Sequence, residues 1–256
     1  MPLLTQNSEL KPHGIWNFSI PAWYTRLSNG ELFVTCPNAG ACAKVCYARN
    51  GTYRFKNVHA AHLRNLEKVL NDREAFRDEL LKELGHKRFR PTTTPRTLPE
   101  GAQMEMLDPW LRKWINNGAK AVRIHDAGDF FAPWYALLWV EVAQAVPDVL
   151  FYAYTKEVAM FQNLDLSSAP NFRYLFSTGG LQDDMIGQAR HADVFPSEEA
   201  IRAAGYLSQS ASDLLAILLP TNRIGIPANN IPHFNKRMDG KRFSELPVRL
   251  RVERKP

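Results

Sequence analysis

From residue 119 onward the sequence alternates short apolar runs with amphipathic stretches, and this alternation is what most constrains the fold. Strands are predicted over "AKAVRIHD" (119–126), "VLFYAYTK" (149–156) and "NFRYLFSTGG" (171–180), with helices over 132–147 and 158–164 between them. Parallel strands need a crossover connection, which is usually a helix, so alternating strands and helices indicate a parallel sheet. The sequence therefore predicts an α/β fold.

Two more strands are predicted further along the chain. They are "HADVFP" (191–196) and "DLLAILLPT" (213–221), with a helix over "SEEAIRAAG" (197–205) between them. This number of units favours a TIM-like full or partial (β/α) barrel over an open sheet. Before the repeats, a long helix is predicted from about 59 to 84 and a second one over 103–117.

A chain of 256 residues with 45% hydrophobic content is large enough for a single core. We expect one domain with three parts. Residues 1–58 form an aromatic N-terminal arm and a cysteine loop, 59–234 form the barrel-like core, and 235–256 form a basic tail.

The net charge of +6 favours a polyanionic partner, and DNA is the partner we expect. Basic residues are interleaved with phenylalanine in 85–96 and 235–256, a mixture suited to phosphate contact and base stacking. The chain has no apolar run long enough to span a membrane, and its first residues do not have the pattern of a secretion signal. These features predict a cytoplasmic protein.

Three cysteines, Cys36, Cys42 and Cys46, fall within eleven residues, and the chain contains no others. An odd and clustered set in a cytoplasmic protein argues against a disulfide framework. Three thiolates can instead hold a metal centre. This would be an iron–sulfur cluster with one iron left open, or zinc with a fourth ligand from His59 or His62.

The strand ending in "VRIHDAGDFF" places an imidazole and two carboxylates at its mouth. One carboxylate at such a position can stabilise an oxocarbenium-like state, while a second one with a raised pKa serves as the acid. Asp126 and Asp129 are the predicted catalytic pair, with His125 assisting.

Polar side chains also follow the neighbouring strands, and the carboxyl ends of parallel strands meet at one edge of a sheet. Lys156 is predicted to be catalytic or to bind phosphate. The predicted substrate-binding residues are Phe130, Tyr154, Ser177, Thr178, Gly179 and Arg223.

The combination of "CPNAGACAKVCYA", "VRIHDAGDFFAPWY" and "FYAYTK" resembles the phage gene-product-88 family over roughly residues 33–180. Two groups of barrel enzymes share single motifs with the chain. "DAGDFF" resembles the strand-end motif of base transglycosylases of the tRNA-guanine and DNA 7-deazaguanine types, which implies a catalytic Asp126 and a structural metal site. "CAKVCYA" resembles the three-cysteine loop of radical-SAM enzymes, with the spacing C-x5-C-x3-C in place of C-x3-C-x2-C.

The leading hypothesis is an enzyme that cleaves or exchanges the N-glycosidic bond of a modified base flipped out of DNA. The phage resemblance would place this activity in phage–host conflict or antiviral defence. The first alternative is a radical-SAM-like iron–sulfur enzyme, whose cluster would cleave S-adenosylmethionine. The second alternative is a non-catalytic DNA-binding module stabilised by a metal.

Overall fold

The computed structural model describes residues 2–228 and 232–247 and is built around a seven-stranded parallel sheet. Across the sheet the strands are β1 (Ile15–Phe18), β4 (Ala121–Ile124), β5 (Leu150–Thr155), β6 (Phe172–Ser177), β7 (His191–Phe195), β9 (Arg223–Pro227) and β8 (Leu207–Ser208). Two further strands, β2 (Tyr24–Arg26) and β3 (Leu32–Val34), form a separate antiparallel hairpin.

Helices cover both faces of the sheet. Their bounds are α1 (Cys42–Val45), α2 (Lys56–Asn71), α3 (Arg73–Leu84), α4 (Pro109–Asn116), α5 (Pro133–Ala145), α6 (Val158–Gln162), α7 (Glu198–Ala203), α8 (Leu215–Leu218) and α9 (Pro232–Met238). One core joins α2, α3, α5 and α6 to the sheet, and a second core joins α4 and α8 to its other face. Strand β5 is buried on both faces, as expected for a central parallel strand.

The structure confirms the predicted α/β class and the predicted strands β4 to β7. The strand order begins with β1 and ends with β8, and no pairing among the described residues joins these two edges. The sheet is therefore open, and the expectation of a closed TIM barrel is not confirmed.

The strand predicted over 213–221 is wrong, because this segment contains helix α8 and belongs to the second core. A short apolar run fits a buried helix as well as a buried strand. The strand in this part of the sheet is β9, which comes directly afterwards. The single helix predicted over 59–84 is two helices, because the Asp72 side chain accepts a hydrogen bond from the Ala75 N–H and caps α3.

Both ends of the chain take part in the fold more than expected. Strand β1 lies in the predicted arm and pairs with β4, more than a hundred residues later. Part of the predicted tail also packs, because Met238 and Phe243 are buried and the Ser244 hydroxyl donates to Asp193 of β7. Residues 248–256 of that tail lie outside the described part. Within the described ranges, no helix has both the length and the apolar character needed to cross a membrane.

Candidate functional site

The cysteine loop, residues 36–46, lies on the carboxyl edge of the sheet, where β5 and β6 end. The Cys42 N–H donates to the Gly179 carbonyl at 3.0 Å, and the Leu181 N–H donates to the Asn38 carbonyl at 3.0 Å. The side-chain amide of Asn38 donates to Glu157, directly after β5, at 2.6 Å. Backbone and side-chain bonds thus fix the loop to two strand ends.

The loop approaches the sheet edge so closely that only glycine fits at residue 40. Gly40 has a φ of +51°, and a Cβ placed there would lie 2.6 Å from the Gly179 carbonyl oxygen. The backbone of Gly180 would also lie against this Cβ. The small residues between the cysteines therefore serve close backbone packing.

All three cysteines are free thiols and partly exposed. The thiol of Cys46 donates to Cys42 and lowers the pKa of Cys42 to about 6; burial opposes this shift and the charge of Lys156 supports it. The same bond, together with burial, raises the pKa of Cys46. Cys36 accepts a hydrogen bond from the Trp23 N–H at 3.2 Å, and burial raises its pKa, with the charge of Asp129 acting in the same direction.

Lys156 lies beside the cysteine loop with its amine buried. The amine donates to the Ser177 hydroxyl at 2.7 Å, which brings these two predicted site residues together. Burial acts to lower the pKa of Lys156, but the negative charges of Cys42 and Asp129 outweigh it and the pKa is raised. The site therefore keeps a positive charge next to its sulfur atoms.

The carboxylate of Asp129 lies under the loop and accepts three hydrogen bonds. It accepts from the Thr155 hydroxyl at 2.7 Å, from the Phe130 N–H at 2.8 Å and from the Lys156 N–H at 3.0 Å. Burial is the main cause that raises its pKa. These bonds tie the end of β4 to the end of β5.

Asp126 belongs to a separate polar network. Its carboxylate lies 3.3 Å from the Arg123 guanidinium and accepts from the Tyr53 hydroxyl at 2.7 Å. The Tyr47 hydroxyl donates to the Asp126 carbonyl at 2.5 Å, and Arg123 also reaches Asp213 at 3.4 Å. The two carboxylates predicted as one catalytic pair share no hydrogen-bonding partner in the described residues.

His125 is buried in the aromatic core, away from the thiols. Its ring packs against Phe130 and hydrogen-bonds the Tyr135 hydroxyl at 2.9 Å through Nε2, while Nδ1 has no partner. Burial lowers its pKa to about 3, so the ring is neutral. Its φ of +64° is unusual for a residue with a side chain and marks local strain at the end of β4.

Other predicted substrate-binding residues are buried or already have partners within the protein. Thr178 donates to the buried Asp193 at 2.7 Å, and the N–H groups of Gly179 and Gly180 donate to the Asp183 carboxylate. Phe130 is fully buried. The hydrogen-bond donors of Thr178 and Gly179, predicted to bind substrate, are thus already engaged within the protein.

Two further predicted residues lie apart from the cysteine loop. Tyr154 joins the Arg123 network through Asp213 at 2.9 Å. Arg223 begins β9, at the opposite edge of the sheet, and packs over Tyr206, so its expected position at a strand's carboxyl end is wrong. The prediction placed Arg223 after a strand at 213–221. This segment contains helix α8 instead, and Arg223 is the first residue of the strand that follows.

Neither of two clefts in the structure contains the cysteines. One, of about 390 Å³, lies at the amino edge of the sheet beside Arg190 and Thr221, and another, of about 460 Å³, lies beside Arg223 and Arg242. Among residues 2–228 and 232–247, no three His, Cys, Asp or Glu side chains are arranged to hold a single metal ion. This finding gives the zinc interpretation, with His59 or His62 as fourth ligand, no support.

Several residues of the site were missed by the sequence reasoning. Asn38, Glu157 and Asp183 hold the loop, while Arg123 and Asp213 form the centre of the polar network. Burial raises the pKa of Glu157 to about 8, with repulsion from Asp129 adding to the shift. Glu157 directly follows a predicted strand end, and that position was a usable signal. Asp213 lies 90 residues from Arg123, and no local pattern links them.

Comparison with known proteins places the chain among phage sequences. A family model described as "Gene product 88" matches residues 2–249. The "Gene 88 protein" of Mycobacterium phage L5 is 36% identical over 131 residues, which cover 51% of this chain and 46% of that protein. The "Gene 88 protein" of Mycobacterium phage D29 is 32% identical over 153 residues, which cover 59% of this chain and 54% of that protein. The chain thus spans about half the length of these relatives. No solved structure matches it.

Proposed function

The chain belongs to the gene product 88 family, and we propose that it is an iron–sulfur enzyme whose cluster is held by Cys36, Cys42 and Cys46. The observation that carries this proposal is the position of the cysteine loop, which is fixed to the carboxyl edge of a parallel sheet. In α/β folds this edge is where reactive groups gather. We interpret the open sheet as a partial (β/α) barrel with its site at that mouth.

The donor set suits a cluster better than a single ion. Three thiolates can each bind a different iron, and with three cysteines one iron of a four-iron cluster stays open to another ligand. The three sulfur atoms then do not have to surround one metal ion. This agrees with the finding that no three His, Cys, Asp or Glu side chains of the described residues are arranged to hold a single ion. When bound, the cluster would supply one-electron chemistry, with S-adenosylmethionine as a ligand of the open iron under the radical-SAM-like interpretation.

Lys156 supports this proposal through its charge. A cluster held by three thiolates adds negative charge to a partly buried site, and the buried amine offsets it. Ser177 holds the amine in place, which makes Lys156 a positioning and electrostatic residue in this proposal.

The N-glycosidic hypothesis has less support from the geometry. The Asp126 carboxylate is bound to Arg123 and Tyr53, and the Asp129 carboxylate accepts three hydrogen bonds, two from the end of β5 and one from the Phe130 N–H after β4. A nucleophile or general acid must reach its substrate, whereas these carboxylates already have partners within the protein. Release of a base from DNA stays a prediction, and the purified protein can be tested for it.

The decisive experiment is anaerobic reconstitution of the full chain with iron and sulfide. We expect bound iron and sulfide, a broad visible absorption, and a paramagnetic signal after reduction that changes when S-adenosylmethionine is added. Cys36→Ser, Cys42→Ser and Cys46→Ser should each lose most of the iron, whereas the control Asp126→Asn should keep it.

A chain that stays colourless and iron-free, with three titratable thiols, would overturn the proposal. Incubating the same preparation with plain and phage-modified DNA, followed by mass spectrometry of released bases, tests the glycosidic hypothesis in parallel. Base release that is lost in Asp126→Asn and kept in Cys42→Ser would favour that hypothesis. A protein that binds DNA, holds no iron and releases no base would favour the remaining alternative, a non-catalytic DNA-binding module.

A further inference from the structure

The hairpin of β2 and β3 presents an exposed face beside the cysteine loop. Alternation along the two strands turns Tyr24, Arg26, Leu32 and Val34 outward, while Thr25 is buried. The cross-strand register pairs Tyr24 with Val34 and Arg26 with Leu32, so the four side chains form one patch. With Arg49, they are called the hairpin face below.

The guanidinium of Arg49 stacks against aromatic rings of this patch. Its guanidinium lies 4.2 Å from the centre of the Trp23 ring and 5.8 Å from that of Tyr24, and the two rings are 4.7 Å apart. Tyr24 is 41% exposed, which leaves a ring face free for a further planar group. An arginine already held against aromatic rings loses little freedom when it binds.

Within residues 23–57 the charge is one-sided, although Glu67 of α2 also reaches the hairpin and accepts a hydrogen bond from the Ser28 N–H in its turn. Residues 23–57 contain five Lys or Arg (Arg26, Lys44, Arg49, Arg54, Lys56) and one acid, Glu31, a net charge of +4 out of the chain's +6. All five basic residues are exposed. A surface with this excess attracts a polyanion.

A second exposed ring lies near the hairpin, at the start of helix α2. Phe55 precedes α2 and is 58% exposed. The Thr25 hydroxyl lies 3.5 Å from Nε2 of His59, in the first turn of that helix, so Phe55 lies near the hairpin. Separate exposed rings among basic side chains are the arrangement that binds unpaired bases by stacking and their phosphates by charge.

We propose that the hairpin face binds single-stranded nucleic acid and leads it to the cysteine loop. The two are joined directly, because the Trp23 N–H donates to the Cys36 sulfur and Trp23 holds a φ of +67° at this junction. A strand stacked on Tyr24 therefore lies next to the sulfur site. The binding stands on its own observations; only the reaction of the bound strand rests on the proposed function.

The test is the affinity for a fluorescently labelled oligothymidylate, followed by anisotropy across a series of salt concentrations. Tyr24→Ala and Phe55→Ala should each weaken binding about tenfold, the loss typical of one stacked base. Arg26→Gln and Arg49→Gln should each reduce the slope of log affinity against log salt by about 0.7. Arg49→Lys should keep the salt slope and lose affinity, because it keeps the charge without the planar stack.

Two control variants lie away from the hairpin face. Leu207→Ala removes an exposed apolar side chain at the other edge of the sheet, and Arg112→Gln removes an exposed charge on α4. Both should bind like the unmodified protein. Circular dichroism confirms that each variant is folded.

Three outcomes would overturn the inference. They are no salt-dependent binding, equal losses in the control variants, and complete displacement by polyglutamate, which would indicate an acidic peptide as the partner. Equal affinity for duplex DNA would overturn the single-strand assignment. Failure here is separable from failure of the proposed function, because iron content in Tyr24→Ala and oligonucleotide binding in Cys42→Ser are measured independently.

Discussion

Gly40 is the residue at which the cysteine loop comes closest to the rest of the protein, and it offers a clean test of that contact. In Gly40→Ala the new Cβ would have to displace the backbone of Gly179 and Gly180. The positive φ costs roughly 1 kcal/mol and the overlap roughly 1–3 kcal/mol more. We expect a lower denaturation midpoint and faster reaction of the cysteines with a thiol reagent.

Gly51→Ala is the matched control for this change. Gly51 also has a positive φ, of +56°, but nothing lies within 4 Å of its missing Cβ. Gly51→Ala should lower the free energy of unfolding only through its unfavourable backbone conformation. The reaction of the cysteines with a thiol reagent should stay unchanged. Equal effects of the two variants would mean that the contact with Gly179 does not hold the loop.

His125 gives a prediction about pH. Its pKa is about 3 in the fold because of burial, against 6.5 for an unperturbed histidine, so between these values the unfolded chain binds more protons than the folded one. The free energy of unfolding should therefore fall as the pH decreases, by about 3 kcal/mol between about pH 7 and pH 4. Denaturant titrations at several pH values measure it.

His125→Asn is the comparison for the pH prediction, because asparagine tolerates the positive φ of this position. The free energy of unfolding of this variant should depend less steeply on pH, because the imidazole is gone. The comparison concerns this slope and not the stability at neutral pH. The same slope in both proteins would show that another group causes the acid sensitivity.

At the level of residues, the sequence predicts which polar groups lie together better than it predicts which of them already have partners. Lys156 and Ser177 lie together at one edge of the sheet as predicted, since strand ends can be recognised from apolar runs. The position of the cysteine loop at the same edge was not predicted. The engagement of Asp126 by Arg123 could not be foreseen, because a sequence shows which groups are polar and not which of them already have partners.

At the scale of elements, the contact between β9 and α7 makes a separate prediction. A Cβ at Gly225 would lie 2.4 Å from the Ile201 side chain, which is fully buried. Gly225→Ala should destabilise the protein by roughly 1–3 kcal/mol through overpacking. Adding Ile201→Ala should recover part of that loss and give a favourable coupling in a double-mutant cycle of unfolding free energies. Strictly additive losses would contradict this contact.

The elements also show where a sequence stops being informative. The four central strands and helix α5 were predicted correctly, since short apolar runs alternate with longer ones along this part of the chain; the Pro133 start of α5 was a further signal. Helix α8 was mistaken for a strand because four buried residues show no period. Strand β1 was taken for part of an arm because the strand that it pairs with in the sheet, β4, comes more than a hundred residues later.

At the scale of the whole molecule, Arg123 joins three distant parts of the chain. It extends from β4 to Asp126 and to Asp213 before α8, and it donates to the Tyr47 hydroxyl beside the cysteine loop at 3.1 Å. Arg123→Met should lower the free energy of unfolding by roughly 3–5 kcal/mol, because the buried carboxylate of Asp126 and the largely buried one of Asp213 lose their counter-charge. Calorimetry or urea titration measures the loss.

A second variant tests the cause of this loss. Arg123→Met combined with Asp213→Asn should be more stable than Arg123→Met alone, because one of the two unpaired charges is removed. No recovery in the double variant would indicate that the packing of the arginine stem, and not its charge, holds these parts together.

The way the cysteine loop is fixed has a consequence for biosynthesis. The loop is translated early, but the glycines and the aspartate that hold it lie near residue 180, at the end of β6. At typical rates of protein synthesis, roughly ten to thirty seconds separate the two segments on the ribosome. During that interval the three thiols are reactive and unsheltered. The thiols are therefore most accessible to oxidants in the nascent chain, and under the proposed function this is also the stage at which an iron–sulfur donor would reach them most easily.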